Sequence, residues 1–346
     1  MKTDLRILVR MPTWVGDAVM ATPALRGIRN KYPDAHVQLM GGGHLQSLLD
    51  GAELFDEWIP VAQGKNRVQR NIRLIRQSKA DIAILLPHSF RTAFETWRAG
   101  IPRRIGMDRQ WRGLFLTDPL LMPKLLPGRR AFPMHYEYLE VVSALGVIGD
   151  GRGSVLAASD PTRKRAEKRL LALECDPERP WVGLHPGAAF GPSKIWPLER
   201  LAEVARSLRD DDGCDIFITC GPGEEGLARE LEELMGGRQI NLADDLWPLD
   251  ELKVLMEKFS LLITGDTGPR HIAAGMNTPQ VVIMGPTSPD YTDAFLDTTT
   301  VLRKPVECSP CQQKVCPLGH HLCMTEIQPS DVLLAARSWL QEELSS

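Results

Sequence analysis

No stretch of this 346-residue chain approaches the ~18 uninterrupted apolar residues that a membrane-spanning helix needs. A secretory signal is missing too, because Asp4, Arg6, Arg10 and Asp17 interrupt any apolar region at the N-terminus. The chain has seven cysteines, an odd number, which argues for reduced thiols rather than a disulfide framework. These absences predict a cytoplasmic protein. Surplus positive charge is also lacking: 41 Lys and Arg against 44 Asp and Glu leave a net charge of −3, which argues against a nucleic-acid binder. The phosphate-binding P-loop ending, Gly-Lys-Ser/Thr, does not occur.

What is present is an ordinary globular composition, 43% hydrophobic and 25% charged, long enough for two or three domains. The charge is unevenly placed. Residues 1–150 carry 21 basic and 14 acidic side chains, the remainder 20 and 30, so the first half suits an anionic partner. Short apolar runs alternate with stretches of helical period, the pattern of parallel βαβ units. Strands are expected at Leu5–Val9, Val37–Met40, Asp81–Leu86, Trp181–His185, Asp215–Cys220, Leu261–Thr264 and Gln280–Met284. Helices are expected at Asp17–Asn30, Asn66–Gln77, Met134–Leu145, Pro161–Leu173, Pro197–Arg209, Glu224–Met235, Asp250–Lys258, Gly268–Gly275 and Ser330–Leu344. The Gly-, Ser- and Ala-rich segment Gly149–Asp160 reads as a linker. This predicts an α/β protein with one αβα domain over 1–155 and a second over 156–329. The helix in 330–346 is expected to pack back toward the first.

In doubly wound sheets ligands gather beyond the carboxyl ends of strands, so the turns after strands carry the chemistry. Asp17, in Trp14-Val15-Gly16-Asp17 after the first strand, reads either as a helix-capping carboxylate or as a general base. The loop His185–Pro197 contains Gly187, Ser193 and a single lysine, Lys194, and could present backbone amides and an ammonium to a phosphate. In Gly265-Asp266-Thr267-Gly268-Pro269-Arg270-His271, the amides of Thr267 and Gly268 at a helix start would suit a diphosphate. His271 could reach the same anion or sit half-buried in the fold. Glu224 or Glu225 is placed to bind a ribose diol, and Trp247 either stacks on a base or packs.

Cys308, Cys311, Cys316 and Cys323, with His320 and His321 among them, could close a tetrahedral metal site or remain thiols. The spacing matches no zinc-finger pattern, and no metal or cofactor is assigned. Arg98, Arg103, Arg104, Arg109, Arg112, Lys124, Arg129 and Arg130, interleaved with Trp97, Trp111, Phe115 and Phe132, form either a solvated face or a surface for a phosphorylated, membrane-anchored acceptor.

In combination these motifs resemble glycosyltransferase family 9, the lipopolysaccharide heptosyltransferases, over nearly the whole chain. Trp14–Met20 with Pro23 and Leu25 resembles the family's N-terminal signature, Phe190–Pro197 its lysine loop and Gly265–His271 its donor-phosphate motif. Cys316–Met324 resembles a tail segment of the type II enzymes. The resemblance implies a GT-B fold, two Rossmann-like domains facing a central cleft, with acceptor on the first and nucleotide sugar on the second. It implies inverting, metal-independent transfer of L-glycero-D-manno-heptose from ADP-heptose to the first heptose of the Kdo–lipid A inner core, at the inner face of the inner membrane. Asp17 would then be the base, and Lys194 would stabilise the leaving diphosphate. Gly187, Ser193, Glu224, Glu225, Trp247, Asp266, Thr267, Gly268 and His271 would line the donor site. Trp14, Arg104 and Arg109 would meet the acceptor. A type I or III enzyme with another acceptor is the alternative within the family; a nucleotide-sugar epimerase on the same architecture is the alternative outside it.

Overall fold

The computed structural model describes residues 5–343 apart from 126, 128, 130 and 174, so Arg130 and Leu344 lie outside the described residues. The chain divides into two compact units, one of residues 1–156 with 290–295, the other of 157–289 with 296–346.

The first unit runs β1 (Arg6–Arg10), α1 (Val15–Met20), α2 (Thr22–Lys31), β2 (His36–Gly41), α3 (Gly43–Leu49), β3 (Glu57–Pro60), α4 (Arg67–Gln77), β4 (Ile82–Leu85), α5 (Phe90–Ala99), β5 (Arg103–Met107), β6 (Asp118–Leu120) and α6 (Met134–Ser143). Its six strands are all parallel in the order β3-β2-β1-β4-β5-β6. β1 is the centre, with Ile7, Leu8 and Val9 wholly buried, as expected for a strand covered on both faces.

The second unit runs α7 (Asp160–Leu170), β7 (Trp181–His185), α8 (Leu198–Asp210), β8 (Asp215–Ile218), α9 (Glu225–Met235), β9 (Ile240–Asn241), α10 (Leu249–Glu257), β10 (Leu261–Gly265), α11 (Gly268–Gly275), β11 (Gln280–Ile283), β12 (Thr299–Leu302), α12 (Leu322–Thr325) and α13 (Pro329–Glu343). Its parallel sheet has the order β12-β11-β10-β7-β8-β9. Counted from its own first strand, this is the order of the first unit again. Each sheet therefore has one point where successive connections leave in opposite directions: between β1 and β4, and between β7 and β10. Ligands of doubly wound sheets bind at that point.

Two expectations are corrected. The single helix expected over Asp17–Asn30 is two, broken at Ala21, because Pro23 in the first turn of α2 has no amide hydrogen to continue α1. Thr22 takes over, its hydroxyl donating to the Val19 carbonyl at 2.7 Å. The C-terminal helix, expected to pack back toward the first unit, lies in the second. Val332, Ala336 and Leu340 of α13 are buried in the core of the second, together with Leu201 and Ala205 of α8, Ile263 of β10 and Val281 of β11. Its apolar stripe matches that face, and burying it there removes about 0.8 kcal/mol per methylene from water.

Candidate active site

In the first unit the β1 turn places Asp17 in the first turn of α1, after an exposed Trp14. The β4 turn, across the switch point, brings His88, and α6 contributes Glu137. His88 Nε2 is hydrogen-bonded to Glu137 Oε1, Glu137 is buried, and Arg109 NH1 lies 3.5 Å from His88 Nδ1. Burial pushes the Asp17 carboxyl up to about 6; the Glu137 charge adds to this and His88 opposes it. A carboxyl so raised can accept a proton near neutral pH, a property that a place in the first turn of a helix does not require. Arg104, expected to meet an acceptor, has its guanidinium donating to the carbonyls of Phe115, Ile101 and Pro102, which ties the start of β5 to the turn before β6.

In the second unit the switch point brings together the lysine loop after β7 and the Asp266 turn after β10. Lys194 Nζ donates to Asp266 Oδ2 at 2.8 Å and to the Asp266 carbonyl at 2.6 Å, and its ammonium lies 4.9 Å from the centre of the Phe190 ring. Asp266 also accepts from Arg270 NH1 at 2.8 Å and from the Thr287 hydroxyl at 2.7 Å. Burial alone would raise this carboxyl. Arg270, Lys194 and His271 outweigh it and hold Asp266 well below the usual carboxylate range. Asp266 is therefore an organiser of positive charge around the turn, unsuited to taking a proton.

Several side chains expected to be free are spent on the scaffold. The Thr267 amide donates to the Gly265 carbonyl at 2.9 Å, and its hydroxyl lies 3.4 Å from that of Thr264, beside the start of α11. Ser193 is buried, and its hydroxyl donates to the Gln313 carbonyl at 2.6 Å, so it anchors the lysine loop to the cysteine-bearing segment. Trp247 is buried with Arg169 stacked over its ring at 4.6 Å, which is the packing alternative. The two glutamates separate. Glu224 Oε2 accepts from the Gly221 amide at 2.9 Å and lies 3.3 Å from His185 Nε2, and a Cβ on Gly187 would come within 2.3 Å of its carboxyl carbon. Glu225 instead accepts from the Gly223 amide at the surface end of the same turn. Gly221–Gly226 spells G-x-G-x-x-G, but it follows β8, the second strand of the unit, instead of the first βα turn where dinucleotide folds carry it.

The four cysteines 308, 311, 316 and 323 line one small cavity with Ser193, His320 and His321. Among the described residues no three His, Cys, Asp or Glu side chains are placed to hold a metal ion. Reading the sequence missed His88 and Glu137, and gave Arg270, which stands in the Gly265–His271 motif, no role. His88 had a usable signal, since it follows a strand; Glu137, within a helix, had none.

A sequence profile of glycosyltransferase family 9 (heptosyltransferase) matches residues 68–322. The chain belongs to that family. This family 9 glycosyltransferase is 28% identical over 353 residues to lipopolysaccharide heptosyltransferase 2 of Escherichia coli, covering 98% of this chain and 99% of that one. The solved structure of the E. coli ADP-heptose lps heptosyltransferase II superposes with a TM-score of 0.80 at 27% identity, covering 98% and 99%. A family 9 glycosyltransferase of Veillonella parvula shares the fold at a TM-score of 0.84 and 24% identity, covering 99% of each chain. The α/β class with two Rossmann-like sheets is that of the GT-B heptosyltransferases.

Proposed function

We propose that this glycosyltransferase moves L-glycero-D-manno-heptose from ADP-heptose onto the first heptose of a phosphorylated Kdo–lipid A inner core, at the cytoplasmic face of the inner membrane. The observation that carries the reading is the end-to-end similarity to lipopolysaccharide heptosyltransferase 2, and the chemistry of the two switch points supports it.

In the proposed reaction an acceptor hydroxyl oxygen attacks the anomeric carbon and the bond from that carbon to the diphosphate breaks. ADP departs, and the hydroxyl proton passes to Asp17. A single displacement of this kind inverts the anomeric centre and needs one carboxylate as base, the role given to Asp17. Negative charge growing on ADP would meet Lys194, whose ammonium has three donors and spends two on Asp266, together with the Thr267 hydroxyl, the Gly268 amide and His271. Lys194 and Arg270 against Asp266 leave the turn net positive, so the protein itself supplies the charge for which other transferases use a metal. Glu224, set against Gly187, takes the ribose in this reading. Trp14 and Arg109 flank the acceptor, and the first unit is the acceptor domain.

The test is incubation with ADP-heptose, with and without lipopolysaccharide truncated after one heptose. Product only when acceptor is present supports the reading. Donor turnover without acceptor would reassign the enzyme as an epimerase or hydrolase, and activity only on heptose-free Kdo–lipid A would reassign it within the family.

A further inference from the structure

The segment between α5 and β6 presents apolar side chains outward from a rigid base. Trp111 is 86% exposed and Leu114 83%, and Phe90 and Trp97 on α5 are each 44% exposed. Phe90 and Trp97 are joined through the ring of Phe115, and Trp111 and Leu114 lie on the turn that carries Phe115. The Phe115 ring lies 5.1 Å from that of Phe90, 5.7 Å from Phe94 and 5.2 Å from Trp97, and Leu114 is its chain neighbour. The turn is fixed from below. Arg112 is wholly buried, with its guanidinium donating to the carbonyls of Met107, Pro87 and Leu85, and a Cβ on Gly106 would lie 2.7 Å from it. Gln110 and Trp111 both adopt left-handed backbone, φ 55° and 63°, which non-glycine residues do not take without a compensating demand.

The charge around the patch is predominantly positive. Residues 90–125 hold seven basic and three acidic side chains. Of the acids, Glu95 is buried against Arg10, Asp118 is paired with Arg103, and Asp108 accepts from the Gly113 amide. Arg91, Arg98, Arg109 and Lys124 are exposed. Exposed aromatic and leucine side chains with exposed arginines next to them in the chain suit the boundary of an anionic bilayer, where the rings enter the headgroup layer and the cations meet lipid phosphate.

We infer that Phe90, Trp97, Trp111 and Leu114 form a docking surface by which the first unit seats on an anionic lipid bilayer. For its purpose the inference rests on the lipid-anchored acceptor proposed above, since docking would hold the enzyme at the plane where that acceptor lies. The test separates the two. The full chain is sedimented with acceptor-free vesicles of phosphatidylethanolamine with phosphatidylglycerol, and with phosphatidylcholine alone. Binding to the anionic vesicles that weakens with salt, and falls at least about tenfold in Trp111→Ser/Leu114→Ser, supports the surface. The variant's melting temperature and its turnover of a delipidated, soluble acceptor should be unchanged, while transfer to acceptor embedded in vesicles falls. Equal vesicle binding by wild type and variant overturns the assignment, as does equal binding to phosphatidylcholine. Absence of vesicle binding with self-association that the variant abolishes would overturn it in favour of a second copy of the chain. Because these vesicles carry no acceptor, failure here leaves the transfer assay standing, and failure of transfer leaves the vesicle result standing.

Discussion

Lys194 and Asp266 form an ion pair at 2.8 Å between the turns that follow β7 and β10, two strands that are neighbours in the sheet but far apart in the chain. Their side chains are 11% and 12% exposed, so the pair is shielded from solvent and screened little by salt. Removing either partner leaves the other buried. Asp266→Asn should destabilise the fold by about 3 kcal/mol in denaturant melts, because Lys194 and Arg270 would lose their common counter-charge. Lys194→Ala leaves Arg270 and Thr287 on Asp266 and should melt closer to wild type. Turnover should nonetheless fall on the order of 10²- to 10³-fold, with ADP affinity by calorimetry falling alongside it. Full activity in Lys194→Ala would remove the lysine from the site.

Asp17 is expected to set the acid limb of the rate profile. A base must be ionised, so kcat/KM, which reports the free enzyme, should decline as pH falls through about 6, the value to which burial and Glu137 lift it. The sign for stability is the opposite. Asp17 holds its proton more tightly folded than unfolded, so ionising it costs stability as pH rises from the ordinary carboxylate range through about 6. Asp17→Asn should abolish transfer, retain ADP binding, and raise stability at pH 7 by an amount on the order of 2 kcal/mol.

Glu137 and His88 should move that limb in opposite directions. Glu137 raises the Asp17 value and His88 lowers it, so Glu137→Gln should shift the limb to lower pH and His88→Gln to higher pH, by about a pH unit or less. Superimposable profiles would show that neither side chain is coupled to the titrating group.

Nucleotide affinity should distinguish the two neighbouring glutamates. Glu224→Gln is expected to weaken ADP binding about tenfold or more, and Glu225→Gln to leave it near wild type, since only Glu224 turns in against Gly187 and His185. Gly187→Ala should act like Glu224→Gln, because its Cβ would occupy the space of the Glu224 carboxyl. Equal loss in both glutamate variants would refute the distinction.

The sequence by itself determined the parallel α/β class and most of the inner strands. Buried strands such as Ile7–Val9 are continuous apolar runs, and periodicity detects those. It also located the turns that follow strands, hence Asp17, Lys194 and Asp266. Short or polar elements escaped it. β5, Arg-Arg-Ile-Gly-Met, reads as part of a basic surface, because its arginines are made compatible with a strand only by Asp118 and by carbonyls of the neighbouring turn. What only the tertiary structure decided is which side chains remain available and which are spent. Hydrogen bonds between residues tens of positions apart committed Ser193 to Gln313 and Lys194 to Asp266, and a stacked Arg169 covered Trp247. The Asp17 environment is decided the same way: α6 and the β4 turn bring Glu137 and His88 to it, and a local sequence pattern contains no record of such neighbours.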